Sequence, residues 1–235
     1  MSTTDQSPNI FYRELFESFV ANVSEERHVS TQEITQKIKS FFRATYSNTH
    51  QVLCGYRDPE GRATSEYIAD VLVTTFDPKK VVTPASAGKE ASTRLHIPSS
   101  PMRVFLAVES ELGGVSASSA LGVMRNVVED YLKLMLIRTK YRVMVFTSLP
   151  YRNELHHVES RVNQLRELYH QAGCNDSGVL LIHLLGAPRT SSSQVQTSIR
   201  RTSIRGFLIS GNGDHWQEFD TPSLVEKQRQ EAELV

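Results

Sequence analysis

Three acids have the surroundings and spacing to do chemistry. Two of them, Glu109 and Glu111, close the stretch Arg103–Gly114, RVFLAVESELGG. Its first half supplies bulky β-formers (Val104, Phe105, Leu106, Val108), as a buried strand does. Side chains alternate along a strand, so Glu109 and Glu111 share one face with Phe105 and Ala107. Two carboxylates on one face at the end of an apolar strand repel each other and resist burial unless a cation joins them. The third acid, Asp70, stands among apolar neighbours in EYIADVLVTTF, residues 66–76. Taken alone, such an aspartate is more often structural than a ligand.

The elements that must position these acids follow from periodicity. Asn9–Val23 carries Phe11, Leu15, Phe16, Phe19 and Val20 on one stripe, an amphipathic helix that also bears Glu14 and Glu17. Ser30-Thr31-Gln32-Glu33 reads as a helix start, with Ile34, Ile38, Phe41 and Phe42 as the buried stripe. Strands are expected over Gln51–Tyr56 and Glu66–Phe76, joined by the turn Arg57-Asp58-Pro59-Glu60-Gly61 and paired as a hairpin. Asp77–Pro101 has no steady period and reads as a long, locally basic loop with Lys79, Lys80, Lys89 and Arg94. Gly113-Gly114 ends the acid-bearing strand, and Ser116, Ser118 or Ser119 can cap the next helix. That helix, Leu121–Lys140, places Leu121, Met124, Val128, Leu132 and Met135 on one stripe, with Lys133 on the opposite side. Tyr141–Leu149 follows as a buried strand, which makes a strand–helix–strand unit with a parallel crossover. A helix over Tyr151–Ala172, a strand over Gly178–Leu185, and a hairpin of Ser203–Ser210 with His215–Phe219 complete the core, and Thr221–Val235 reads as a charged tail helix. The expected fold is α/β, a central mixed sheet flanked by helices. One domain spans residues 1–220, with an insertion at 77–101 and the tail at 221–235.

Composition sets outer bounds. The chain has 235 residues, 39% of them hydrophobic, with 26 Lys and Arg against 26 Asp and Glu. That suits one sizeable core. A balanced charge argues against general electrostatic capture of nucleic acid, though not against a local basic groove. Cys54 and Cys174 form no CxxC and read as reduced thiols. No signal-like N-terminal run and no apolar stretch approaching the roughly 20 residues of a membrane helix are seen, so a cytoplasmic protein is expected, with no membrane partner.

The order helix, strand, strand with Asp70, strand with Glu109-x-Glu111, helix, strand resembles the core of the restriction-endonuclease-like superfamily, whose signature is PD-(D/E)xK. The resemblance covers roughly Phe11–Leu149. It implies an αβββαβ core with a C-terminal helix, strand and hairpin as an extension. It also implies that Asp70, Glu109 and the peptide carbonyl of Ser110 bind Mg²⁺ or Mn²⁺, and that Asp70, Glu109 and Glu111 form the catalytic set. Glu14 or Glu17 would be accessory acids, and Lys79, Lys80, Lys89 and Arg94 would contact DNA. The sequence departs from the signature in having Ala69 at the proline position and Glu111 at the lysine position. Lys133 is the candidate for a lysine relocated to the next helix, although its stripe position faces away. The activity implied is metal-dependent hydrolysis of DNA phosphodiesters, of a restriction or defence type. DNA is the expected partner and a homodimer an admissible assembly. The alternative is a degenerate member of the same fold that binds nucleic acid or protein without cleavage.

Other residues carry less. Adjacent helix positions face apart, so His156-His157 is a poor metal clamp. His183 reads as a hydrogen-bonded core histidine. Arg200, Arg201 and Arg205 read as a solvated basic turn, and Trp216 as packing. Without GxSxG or a suitably spaced histidine, Ser110 has no support as a hydrolase nucleophile, and no phosphate-binding glycine loop is present.

Overall fold

The computed structural model describes residues 7–25, 28–55, 67–84, 93–95, 98–99, 101–113, 119–174, 177–186, 196–211 and 213–220. In chain order the elements are α1 (Pro8–Val23), β1 (His28–Ser30), α2 (Thr31–Tyr46), β2 (Gln51–Cys54), β3 (Val71–Thr74), α3 (Pro78–Val81), β4 (Val82–Pro84) and β5 (Thr93–Leu95). They continue with β6 (Val104–Glu111), α4 (Ala120–Leu136), β7 (Thr139–Ser148), α5 (His157–Gln171), β8 (Val179–Gly186), β9 (Gln196–Ser198), β10 (Arg205–Ser210) and β11 (His215–Phe219). The expected α/β architecture is what forms. One mixed sheet of nine strands has the order β1-β9-β8-β7-β6-β3-β2, with β10 also on β8 and β11 on β10.

The centre of this sheet is parallel. β6 pairs with β7, and β7 with β8, in parallel register. Their buried stretches are near-continuous, Val143–Ser148 in β7 and Val179–Leu184 in β8. Strands covered on both faces need such runs rather than alternation. One face packs against α1 and α2 through Tyr12, Phe16, Phe19, Ile34, Ile38 and Phe42, meeting Val71, Val108, Val143 and Ile182. The other packs against α4 and α5 through Val127, Tyr131, Val162 and Leu165, meeting Leu72, Ala107, Met144 and Phe146.

Toward the acids the sheet turns antiparallel. β3 pairs with β6, Val71 opposite Val108 and Leu72 opposite Ala107, and β2 pairs with β3. The hairpin expected between the second and third strands is therefore present, but β3 is shorter than Glu66–Phe76. It begins at Val71, one residue after Asp70, because the Asp70 side chain takes the amide of Ser110 that a longer ladder would have used.

Two other expectations need correction. The region 77–101 is not simply a loop: its described parts form α3 and the antiparallel β4–β5 ribbon, with Val82 opposite Leu95. Elements of three or four residues leave no readable period. The buried stripe of α4 consists of Val123, Met124, Val127, Tyr131, Leu134 and Met135, while Leu121 and Leu132 are exposed. Of the three serines proposed to cap α4, Ser119 does so, accepting from the Gly122 amide at 3.1 Å. The turn 57–61 and the tail 221–235 lie outside the described residues. Among the described residues no helix is long and apolar enough to cross a membrane.

Gly206 of β10 lies directly under Phe16 of α1. A Cβ there would stand 2.6–2.8 Å from three ring carbons of Phe16. Gly206→Ala should therefore lower the unfolding free energy by roughly 1–3 kcal/mol, the usual cost of overpacking. Chemical denaturation reads this directly; an unchanged midpoint would show that α1 can move away without cost.

Candidate metal and phosphodiester site

Asp70 and Glu109 meet where β3 begins and β6 runs on past it. The register that sets Val71 against Val108 brings the next pair, Asp70 and Glu109, side by side. The Asp70 amide lies 3.4 Å from Glu109 Oε2. Asp70 Oδ2 accepts from both the Ser110 amide, at 2.9 Å, and the Ser110 hydroxyl, at 2.5 Å. The N–H and C=O of one strand residue project to the same edge, so the Ser110 carbonyl also faces the Asp70 side of β6.

Each acid has its own lysine, one from each helix layer. Lys39, on the buried face of α2 and only 4% exposed, sets its Nζ 3.4 Å from Asp70 Oδ1. Lys133, on α4, sets its Nζ 3.0 Å from Glu109 Oε1 and 2.8 Å from Asp130 Oδ1. Lys133 is half exposed, as its place on the helix wheel predicts. Its long apolar stem nevertheless carries the ammonium back to the sheet. The expectation that Lys133 faces away is thus corrected by reach rather than by rotation. The Lys133–Glu109 contact is an ion pair without the angles of a good hydrogen bond, leaving Oε1 without a hydrogen-bond partner.

Burial dominates the electrostatics of Glu109, which is 3% exposed. Desolvation pushes its carboxyl up to about 7; Asp70 adds to the rise and Lys133 opposes it. Glu111, on the same face, is also raised, first by desolvation, while the Gly113 amide and Asn126 pull the other way. Its Oε1 accepts from Gly113 N at 2.8 Å. Both glutamates of the ExE pair therefore look toward α4, as alternation requires.

Asp70 and Glu109 are neighbours through the Asp70 amide, while Lys39 of α2 approaches the Asp70 carboxylate and Lys133 of α4 that of Glu109. Among the described residues no group of three or more His, Cys, Asp or Glu side chains forms a metal-holding cluster. A cation here would have to be held by two carboxylates, a peptide oxygen and solvent or phosphate, a donor set that suits Mg²⁺. Glu14 and Glu17 lie on the exposed face of α1 and are not among the partners of Asp70 and Glu109. The backbones of Lys79 and Lys80 lie in α3 and that of Arg94 in β5; their side chains, and all of Lys89, lie outside the described residues.

Lys39 and Asp130 were not singled out from the sequence. The signal for Lys39 was available: a lysine on the Ile34–Ile38–Phe42 stripe must find a buried anion. Asp130 precedes Lys133 by one helical turn, the spacing of an ion pair.

His183 and Trp216 have structural partners. His183 Nε2 lies 2.9 Å from Ser148 Oγ, and both residues are buried. Burial lowers the imidazole to about 3, so it is neutral, and the pair has no surface from which to meet a substrate. Trp216 donates to Asn163 and packs edge-on against Phe207, as expected of a packing residue. No family model matches the sequence and no curated protein matches it, so the functional reading rests on this geometry.

Proposed function

We propose that this protein is a divalent-metal-dependent nuclease of the restriction-endonuclease-like type, hydrolysing DNA phosphodiester bonds with Asp70, Glu109 and Lys133 as its central residues. The observation that carries the reading is Glu109 at the end of β6, with its Oε2 against the Asp70 amide and its Oε1 3.0 Å from the Lys133 ammonium. Glu111 occupies the signature's lysine position, and Lys133 supplies from α4 the positive charge missing there. The strand order β2-β3-β6-β7, with β3 antiparallel to its neighbours and β6 parallel to β7, supports the same core.

Asp70, Glu109 and the Ser110 carbonyl would hold Mg²⁺ or Mn²⁺. A bound cation of this kind lowers the pKa of its water and steadies negative charge on a phosphate. The chain's own residues prepare the site. Ser110 fixes Asp70 by two hydrogen bonds, and Lys39 compensates its charge from below. Lys133, half exposed, can leave Glu109 for a phosphate oxygen while Asp130 keeps it oriented. Glu111 lies next to Glu109 on the α4 face, in position to accept a proton from water.

Adding Mg²⁺ or Mn²⁺ should raise the melting temperature by roughly 5–10 °C at a hundredfold excess over the dissociation constant. Asp70→Asn should remove that shift together with cleavage of a mixed plasmid and oligonucleotide pool. No calorimetric binding at millimolar cation would defeat the metal reading. The second reading is a degenerate module of the same fold that binds nucleic acid or protein, favoured by the fact that Lys39 and Lys133 already neutralise both acids. Metal binding without cleavage of duplex or single-stranded DNA would select it.

A further inference from the structure

The segment leading into Asp70 combines two features seldom found together. Its end is pinned. Ala69 is buried in the core beneath α4 and α5, and Asp70 is tied to Ser110 and Lys39. Directly before it, two large apolar side chains stand in solvent, Tyr67 58% and Ile68 57% exposed. Single exposed apolar residues are ordinary. Here an aromatic and a β-branched residue stand side by side, directly before the anchored Ala69 and Asp70.

The surroundings define what they would meet. On the α4 side of Asp70 and Glu109 stands the Lys133 ammonium, half exposed and suited to a phosphate oxygen. Just before β3 in the chain come Tyr67 and Ile68, which have no charge to offer and bring an exposed aromatic ring and an exposed aliphatic side chain. A nucleotide has these two halves, a phosphate and a flat base. The base's face is available only where it is not stacked within a duplex.

From this arrangement we infer that Tyr67 and Ile68 form a lip that takes an unstacked base, so that the substrate is single-stranded or locally unpaired nucleic acid. The inference rests on the nuclease reading for its choice of ligand. Tyr67 supplies the stacking platform and Ile68 packs against the edge of the base or sugar. A paired, fully stacked duplex gains nothing from the lip.

The test uses the full chain with a fluorescein-labelled single strand of about 12 nucleotides and a blunt duplex of the same sequence. Anisotropy is measured with Glu109→Gln to prevent cutting, and cleavage with the unaltered protein and Mn²⁺. The single strand should bind at least tenfold more tightly than the duplex. Tyr67→Ser with Ile68→Ser should weaken single-strand binding by roughly 5- to 150-fold, the range for losing one stacked base, with duplex binding unchanged. Tyr67→Phe should retain the preference. Both variants are at exposed positions, and an unaltered melting temperature confirms that they fold. Equal binding of the two oligonucleotides, or single-strand binding unmoved by the double substitution, overturns the lip. Cleavage of duplex and single strand at equal rates overturns it too while leaving the nuclease reading intact. Tyr67-dependent single-strand binding without cleavage by the unaltered protein does the reverse.

Discussion

Lys133→Met should reduce phosphodiester cleavage by a factor on the order of 10²–10⁴, the usual consequence of losing a positioned charge or proton-transfer group, while DNA binding changes only a few-fold. The expectation comes from the 3.0 Å contact of Lys133 with Glu109 and from Glu111 standing where the signature has lysine. A half-exposed lysine contributes little to stability, so folding should survive the change. The decisive companion is Lys133→Met combined with Glu111→Lys. Residues 109 and 111 both look toward α4, so a lysine at 111 returns an ammonium to the same opening from the strand side. Partial recovery of cleavage in the double variant would show that the charge, not its helix of origin, is what the site requires. Glu111→Gln alone tests the remaining role of that residue as a base and should also slow turnover. Should Lys133→Met cut as fast as the unaltered protein, the assignment of Lys133 fails, although Asp70 and Glu109 could still hold a metal.

Glu109→Gln should stabilise the protein at pH 8 by up to about 3 kcal/mol, and by almost nothing at pH 4. The carboxyl is raised from its ordinary value to about 7, chiefly by burial. The folded state thus holds a proton between about pH 4.5 and 7 that the unfolded chain has released. Stability contributed by this group is present below the lower value and is lost as pH rises toward the upper one. The neutral amide is insensitive to pH, so the gap between variant and parent should open across that window in urea midpoints measured at pH 4, 6 and 8. His183 slopes the other way. Its imidazole is lowered to about 3, so its contribution is lost as pH falls from about 6.5. The two partly cancel in the parent between about pH 4.5 and 6.5, so the slope for Glu109 is read from the variant-minus-parent difference. A divalent cation competes with the proton on Glu109, so its stabilising effect should grow from pH 6 to pH 8. A constant difference between variant and parent at all pH values would mean that Glu109 titrates normally.

The nearness of Asp70 to Glu109 was legible because Asp70 leads into β3, β3 and β6 are neighbours in the sheet, and register is set by burying the apolar face. Val71, Leu72, Leu106 and Val108 all had to be inside, and this leaves the two acids level with each other at the end of the ladder. The same reasoning placed Glu109 and Glu111 on one face. It failed for Lys133, because a helix wheel locates Cβ atoms and says nothing of where a four-carbon stem ends. The α4 stripe was drawn through Leu121 and Leu132, yet Tyr131 and Leu134 lie inside and those leucines outside, since several apolar positions on that helix compete for one face. The α3–β4–β5 segment was unreadable, because three- and four-residue elements take their conformation from neighbours rather than from their own period.

The strand β1, set between the two N-terminal helices, does not pair with anything near it in sequence. It joins β9, with His28 opposite Ser198 and Ser30 opposite Gln196. Among the described residues the chain is thereby closed into a large loop by three residue pairs and by the Glu25 amide donating to the Ile199 carbonyl, at the far edge of the sheet from β2 and β3. Closing so long a loop costs more entropy than these few bonds return on their own, so this edge contact is expected to form late in folding and open early. The β6–α4–β7 crossover that carries Glu109 and Lys133 depends on much shorter-range contacts. The seam between the two ends of the molecule can therefore part while the acids and their lysines keep their places.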